Sequence, residues 1–386
     1  MLEASRNKIA VIFIRGFIFS TRIPKFGVSL HRIANIHNYC ATVEIMNKKI
    51  LSILLCTVLA SCTAAYGRNN FPGIPYKTAG ELAHNVIWAQ KLYRQIEFLA
   101  DSLCAGRASG TVGNTEAASW IARRFSQIGL MKFGDSYSSH FTEPNGCNII
   151  GMLPGSPNIA NKPYIIVGAH YDGLGVLRGT LFPGADSNAS GVVAMLSIAE
   201  LFKAMNKYGQ TYGKNILFVG FDAKASSMRG SRDLWEKISR GELKDPVNGT
   251  IISPDKISMM VNIDQIGGTA GILKSGRGDF IIMLGKENVG RKYSDLLGYC
   301  NFEYGSFLEL SFDYFGSRDF TRIFLTKVCD QKVFVENNIP AVLFTSGITM
   351  NNNKPYDNVQ SLDMGIMKRR ILLIFHWIDE LMRMKK

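Results

Sequence analysis

The sequence predicts an α/β fold of three layers, in which a mainly parallel, mixed central sheet carries helices on both faces. Short apolar runs typical of buried strands alternate with longer amphipathic patterns typical of helices. Neither an internal repeat nor a low-complexity tract interrupts this alternation. The chain has 386 residues, of which 46% are hydrophobic and 19% charged, so it can bury a large core without disulfides or structural metals.

The predicted elements begin with two amphipathic helices, at residues 85–103 and 115–128, separated by a glycine-rich turn at 106–113. Apolar runs of strand length and further helical patterns follow to the end of the chain. In chain order they are strands at 148–153 and 164–169, a helix at 190–205, strands at 215–221, 257–263 and 280–284, a helix at 289–298, a strand at 341–344 and a helix at 364–384.

A secretory signal peptide is predicted at residues 46–61. Lys48 and Lys49 form a short basic head, an apolar run too short to span a bilayer follows at 50–60, and small residues precede Cys62. Residues 59–62, Leu-Ala-Ser-Cys, resemble the bacterial lipobox, whose cysteine is lipidated. Acyl chains contribute roughly 0.8 kcal/mol per buried methylene, so we expect lipid to anchor the protein in the bacterial cell envelope, on its periplasmic or surface face. An ordinary cleaved signal with an incidental cysteine is the alternative.

The segments on either side of the signal peptide are predicted not to be part of the folded domain. Residues 1–45 precede the basic head of the signal, which indicates a start assigned too early and translation from Met46. An additional apolar anchor near the beginning of the chain is the alternative, but Arg15 interrupts its apolar run. Residues 62–80 are rich in glycine and proline and predict a tether, so the domain is expected at 81–386.

The mature protein is expected to begin at a lipidated Cys62. Mass spectrometry of protein from the membrane fraction tests this expectation. An unmodified peptide spanning residues 60–65 in the mature product would contradict it.

Charge and cysteine content exclude several classes of site. The formal charge is +13, of which residues 62–386 carry +7, and no run of Lys and Arg interleaved with aromatic residues occurs there, so we expect no nucleic-acid partner. The four cysteines of the domain are widely spaced and form no Cys-x-x-Cys pair, which argues against a thiolate zinc site and against a dense disulfide framework. A single disulfide among Cys104, Cys147, Cys300 and Cys329 remains an open alternative.

Polar residues follow four of the predicted strands. Sites in open α/β sheets form outside the carboxyl ends of the strands, so these residues are expected to share one pocket. They are His170 with Asp172, Asp222 with Lys224, Asp264, and Asn353 with Asp357. Asp186, just before the helix predicted at 190–205, is expected to join them.

Three of these stretches resemble the zinc-dependent aminopeptidases of peptidase clan MH, which include bacterial leucyl aminopeptidases and glutaminyl cyclases. They are Ala-His-Tyr-Asp at 169–172, Gly-Ala-Asp-Ser-Asn-Ala-Ser-Gly at 184–191 and Asn-Ile-Asp at 262–264. The similarity runs from about Leu99 to the C-terminus. It implies a phosphorylase/hydrolase-like zinc exopeptidase fold, in which two zinc ions activate a water molecule and a glutamate accepts its proton.

The resemblance implies roles for four residues that match the family pattern. His170 and Asp264 would hold one metal ion, and Asp186 would bridge the two ions. Asp172 would orient the His170 ring from outside the ligand shell.

The rest of the family's site is absent from this sequence. Lys224 stands where the family carries its glutamate base, and Ala225 where it carries a glutamate ligand. Asn353 stands where the last histidine ligand is expected. Alanine has no donor atom and an amide oxygen is a poor zinc ligand, so no catalytic residue set is intact.

Two functions therefore stay open. The protein is a pseudoenzyme that binds a peptide or a protein N-terminus without hydrolysis, or it is an active metal-dependent exopeptidase or glutaminyl cyclase. The second would use one zinc ion at His170, Asp186 and Asp264 and a base from elsewhere; the first needs no metal. Lys224 is expected to stay protonated and to pair with Asp186, the alternative being that it points into solvent.

Overall fold

Among the residues that the structure describes, the central sheet has eight strands. The computed structural model describes residue 81 and residues 85–142, 145–273 and 275–384; the predicted signal peptide, the tether and Cys62 lie outside them. The strands of the sheet are β1 Ser138–Phe141, β2 Gly146–Leu153, β3 Tyr164–His170, β6 Asn215–Phe221, β7 Ile257–Ile263, β8 Phe280–Leu284, β9 Glu309–Ser311 and β10 Ala341–Thr345. Two further strands, β4 (Gly175–Leu177) and β5 (Thr180–Phe182), form a separate hairpin.

The sheet is mixed, with a parallel centre. Its strand order is β1-β2-β6-β3-β7-β10-β8-β9. The neighbours β6, β3, β7 and β10 are all parallel, whereas β2 runs antiparallel to β6 and β8 antiparallel to β10. The carboxyl ends of the four central strands therefore meet at one edge of the sheet, as the sequence predicts for the polar residues that follow them.

Helices cover both faces of the sheet and complete the three layers. One layer contains α1, α2, α3, α6 and α9, and the other contains α4, α7 and α8. The helices are α1 Ala89–Ala100, α2 Val112–Ile128, α3 Gly191–Lys207, α4 Arg229–Ser239, α5 Lys286–Val289, α6 Arg291–Glu303, α7 Arg318–Thr326, α8 Gln331–Glu336 and α9 Met364–Arg383. Every residue of β3 and β6 is buried, because strands covered on both faces need apolar side chains on both.

The first helix ends earlier than the sequence predicts. The amphipathic pattern extends to residue 103, but α1 stops at Ala100 because Asp101 adopts an extended conformation. The Asp101 side chain instead accepts a hydrogen bond from the Leu103 amide and starts a 3₁₀ turn. This turn brings the chain to Arg107, which lies beside the candidate site.

The four cysteines within the described ranges form no disulfide, since Cys104, Cys147, Cys300 and Cys329 are all free thiols. Within the described ranges, the helices are too short or too polar to cross a bilayer.

Candidate functional site

Three polar side chains meet at the carboxyl edge of the central strands. His170 is the last residue of β3, Asp264 directly follows β7, and Lys224 lies in the turn after β6. Because β3 lies between β6 and β7, the side chains beyond these strand ends converge. The structure thus brings together three of the residues singled out in the sequence.

The Lys224 ammonium lies between His170 and Asp264. Its Nζ is 2.5 Å from Asp264 Oδ2 and 3.1 Å from His170 Nε2. The Asp264 and His170 side chains are almost fully buried, and that of Lys224 is 20% exposed. Lys224 thus contacts the two side chains that the resemblance implies would hold the first metal ion.

The pair formed by Lys224 and Asp264 is charged. Burial alone would raise the pKa of Asp264, but the Lys224 ammonium holds it well below its usual range. Burial lowers the pKa of Lys224, and the Asp264 carboxylate raises it by more, so it lies above its ordinary value. Lys224 is therefore an ammonium that cannot accept a proton from water, and it does not replace a glutamate base.

The His170 ring is fixed by Asp172. His170 Nδ1 lies 3.1 Å from the Asp172 backbone oxygen and 3.4 Å from its carboxylate Oδ1, as the resemblance implies for a residue that orients the ring. Burial lowers the pKa of the imidazole and the neighbouring carboxylates raise it, with a net upward shift. A proton on Nε2 would nevertheless point at the Lys224 ammonium, so a neutral ring with its proton on Nδ1 fits this contact better.

Asp186 lies in a separate hydrogen-bonded loop, at the turn Ala185–Ser190 before α3. Its Oδ1 accepts hydrogen bonds from the Gly267 and Gly268 amides, at 2.8 and 3.1 Å, and from the Ser190 hydroxyl at 3.0 Å. Its Oδ2 is buried and accepts no hydrogen bond from the described residues. Burial, followed by the charge of Asp357, raises the pKa of Asp186 to about 6.

The prediction that Lys224 forms an ion pair with Asp186 is wrong, because Lys224 pairs with Asp264 instead. The loop explains the difference. Asp357 accepts hydrogen bonds from the Asp186 amide at 2.8 Å and from the Ser187 amide at 3.1 Å, which fixes the backbone of the loop. The Asp186 carboxylate is held by donors of its own, the Gly267 and Gly268 amides and the Ser190 hydroxyl. The alternative, that Lys224 points into solvent, is wrong as well.

A cavity of about 300 Å³ opens above these residues. His170, Lys224 and Asp264 are among the polar residues of its lining, and Ala225 and Asn353 are exposed residues in that lining. The apolar part of the lining comes from β5, α7, β10 and the connecting loops. Its apolar side chains are Leu174, Phe182, Phe324, Val328, Leu343 and Ile348.

The sequence does not predict the contacts that Arg107, Gln265 and Asn352 make in this site. Arg107 is fully buried and donates hydrogen bonds to four backbone carbonyls. Two of them, those of Tyr171 and Gly184 at 2.8 Å each, belong to the loops that carry Asp172 and Asp186, so Arg107 connects these two loops. Gln265 follows Asp264 and donates to Asn352 at 2.9 Å. A run of three asparagines is the sequence signal that could have drawn attention to Asn352.

Zinc, which the resemblance implies, does not fit the arrangement of these side chains. The Lys224 ammonium is in contact with His170 Nε2 and Asp264 Oδ2, and two cations cannot share those atoms. In the part of the chain that the structure describes, no three His, Cys, Asp or Glu side chains are grouped as a metal ion requires. Metal binding here would need Lys224 to move.

The sequence matches known proteins over part of its length. The model of peptidase family M28 matches residues 148–378. Nicalin of Caenorhabditis elegans is 32% identical over 130 residues, which are 32% of this chain and 23% of nicalin. Aminopeptidase YwaD of Bacillus subtilis is 33% identical over 104 residues, which are 27% of this chain and 20% of that protein. The chain therefore spans about a quarter or less of the length of these curated relatives.

Solved structures share the fold over most of the chain. LapA aminopeptidase of Legionella pneumophila has a TM-score of 0.61 at 15% identity, over 83% of this chain and 78% of its own. BSAP, a zinc aminopeptidase from Bacillus subtilis, has a TM-score of 0.58 at 14% identity, over 76% of this chain and 95% of its own. Glutaminyl cyclase of Porphyromonas gingivalis has a TM-score of 0.54 at 16% identity, over 77% of this chain and 99% of its own. At these identities the likeness concerns the fold, and the match to the family model decides membership: this protein belongs to peptidase family M28.

Proposed function

We propose that this protein is a pseudoenzyme of family M28. It binds a peptide-like ligand by its N-terminus without hydrolysing it, at the bacterial envelope, where lipid on Cys62 anchors it. The ligand is a peptide or the N-terminus of a protein. The lipobox-like sequence supports the anchor, and the family membership supports the ligand class.

The position of the Lys224 ammonium carries this proposal. It stabilises the buried Asp264 carboxylate at 2.5 Å, which a metal ion would otherwise neutralise. Neither a Lewis acid nor a basic glutamate is then available to activate water. Ala225 and Asn353 supply no zinc ligand that would compensate.

The cavity supports binding without chemistry. Its volume of about 300 Å³ suits one amino-acid side chain with its adjacent backbone. Its lining combines apolar side chains with charged and polar groups. This combination favours a ligand with an apolar side chain next to polar backbone groups.

A second candidate is an exopeptidase or glutaminyl cyclase that holds one zinc ion with His170, Asp186 and Asp264. Two buried carboxylate oxygens favour it, since Asp186 Oδ2 and Asp264 Oδ1 accept no hydrogen bond from the described residues. Three side-chain ligands with water can hold zinc. Lys224 would have to move away from Asp264, and a residue other than the family's glutamate would have to act as the general base.

Peptidase activity is expected to be absent or very low. Loss of a general base costs roughly 10²–10⁴-fold in rate, and loss of a Lewis-acid metal adds several kcal/mol to the barrier. The test is a panel of aminoacyl-arylamides and N-terminal glutaminyl peptides, assayed with zinc, manganese and cobalt supplied. Robust turnover that Asp186→Ala abolishes would contradict the pseudoenzyme and establish the second candidate.

A further inference from the structure

A patch of exposed apolar side chains borders the cavity. It consists of Phe320 and Ile323 on α7, Val328 just after that helix and Ile348 in the loop after β10, and we call it the rim patch. The exposed fractions of these four residues are 54%, 37%, 41% and 41%. Val328 and Ile348 also line the cavity, so the rim patch and the cavity share two residues.

Tyr314 joins the members of the rim patch into one surface. Its ring stacks on Phe324 at a centroid distance of 4.4 Å and contacts Phe320 at 6.1 Å. Its hydroxyl accepts a hydrogen bond from the Ile348 amide at 2.9 Å. Phe320 and Ile323 are three residues apart on α7 and are therefore neighbours on one helix face. Single exposed apolar side chains are ordinary on a protein surface, whereas a contiguous group of them marks an interaction surface.

Helix α7 carries more apolar surface than the protein core covers. Phe324 packs against the buried cluster around Phe280, but Phe320 and Ile323 lie outside this cluster. A partner that covered these two side chains would gain roughly 25 cal/mol per Å² of apolar surface removed from water.

The charge beside the rim patch is positive. Three exposed basic residues, Arg318, Arg322 and Lys327, lie on α7 or directly after it, and Asp319 is the only acidic residue in this part of the sequence. Three basic residues against one acidic residue give residues 318–328 a net charge of +2. Lys354, an exposed residue of the cavity lining, adds a further positive charge. A partner that is both apolar and acidic complements this surface.

We propose that the rim patch binds the part of a polypeptide ligand that follows its N-terminal residue, and that this part is apolar and acidic. The inference rests on the proposed function, in which the cavity holds the N-terminal residue. Because Val328 and Ile348 belong to both surfaces, a chain that leaves the cavity beside them passes onto α7. The ligand is then the N-terminal segment of a protein or long peptide. An anionic membrane would also match apolar and basic side chains, but it would leave the adjoining cavity empty.

Fluorescence anisotropy with three peptides, each labelled at its C-terminus, tests this. The probes are the dipeptide Leu-Ala, the acidic octapeptide Leu-Ala-Phe-Glu-Leu-Glu-Phe-Glu and a basic octapeptide with lysine in place of each glutamate. The wild-type protein is expected to bind the acidic octapeptide at least about tenfold more tightly than the dipeptide, as for covering two half-exposed apolar side chains. The basic octapeptide should bind more weakly than the acidic one, because the surface beside the rim patch is positive.

Three variants complete the design. Phe320→Ser with Ile323→Ser should lower the ratio between acidic octapeptide and dipeptide severalfold. Arg318→Glu with Arg322→Glu should reverse the preference between the two octapeptides. Phe302→Ser is the matched control, since Phe302 is 63% exposed on α6 and outside the cavity lining, and all three affinities should stay unchanged. Thermal unfolding shows whether each variant is folded; should the serine pair fail to fold, the glutamate pair decides, and an unchanged preference there overturns the inference.

The other occupants of the rim patch are tested separately. Sedimentation with phosphatidylglycerol vesicles uses protein with Cys62→Ser, so that no lipid anchor contributes, and light scattering measures the oligomeric state. Vesicle binding or a dimer that the serine pair abolishes, with the peptide ratio unchanged, would assign the rim patch to a membrane or to a second copy and overturn the inference.

The outcomes separate this inference from the proposed function. Equal affinities of the wild-type protein for the dipeptide and the acidic octapeptide, or for the two octapeptides, overturn the role of the rim patch and leave peptide binding at the cavity standing. Failure of all three peptides to bind the wild-type protein overturns the proposed function and this inference with it.

Discussion

Replacing Lys224 with alanine is expected to lower the free energy of unfolding of the metal-free protein by roughly 3–5 kcal/mol. The change leaves the buried Asp264 carboxylate without the ammonium that contacts it at 2.5 Å. An unpaired buried charge costs more than the hydrogen bond itself, because the carboxylate has lost its hydration and gains nothing in return. Urea unfolding at neutral pH, with chelator present, measures the loss.

Zinc should recover part of this loss, because removing the ammonium opens the space between His170 and Asp264 to a metal ion. A ligand at one hundred times its Kd adds about 2.7 kcal/mol of stability. Lys237→Ala is the matched control, since Lys237 pairs with Asp233 at 2.8 Å with a similar side-chain exposure of 19%. That variant should be destabilised without any recovery by zinc. An unchanged stability of Lys224→Ala would show that the ion pair does not replace a metal.

The triple change Lys224→Glu, Ala225→Glu and Asn353→His is expected to restore binding of two zinc ions and some hydrolysis. It removes the ammonium from the first metal position and supplies the base and the two missing ligands that the resemblance implies. The backbone of Asn353 is left-handed, with φ 57°, a conformation in which histidine is also enriched. Zinc content and hydrolysis of aminoacyl-arylamides are the measurements.

The double change Ala225→Glu and Asn353→His is the control for the triple change. It supplies both ligands but keeps the Lys224 ammonium against Asp264, so it should bind less zinc and show no hydrolysis. Equal zinc binding by the two variants would show that Lys224 does not oppose the metal. No gain of zinc in the triple variant would mean that positions 225 and 353 do not correspond to the lost ligands.

The buried strands could be predicted well from the sequence. The strands predicted at 215–221, 257–263 and 280–284 have the observed bounds, because continuous apolar runs are required where helices cover both faces. The surface elements could not be predicted in the same way. Helix α7 has no fully buried residue, and its nine residues are a short amphipathic stretch in which Phe324 packs against the buried cluster around Phe280. Strand β9 has only three residues, all partly exposed.

The sequence predicts where the candidate site lies, but not which carboxylate pairs with Lys224. The order of the strands places His170, Lys224 and Asp264 at one edge, and polar residues after apolar runs indicate this edge in the sequence. Which carboxylate Lys224 contacts depends on the donors that already hold Asp186, and these come from Gly267 and Gly268, 81 and 82 positions away. The hydrogen bond between Gln265 and Asn352 joins residues 87 positions apart, which no local pattern encodes.

The metal content of the purified wild-type protein tests the replacement of zinc by Lys224 most directly. The protein is dialysed against excess zinc and then against metal-free buffer, and zinc per chain is determined by elemental analysis. At most one equivalent is expected, held weakly and lost on continued dialysis, because the Lys224 ammonium already neutralises Asp264. Two tightly held equivalents of zinc per chain would contradict it.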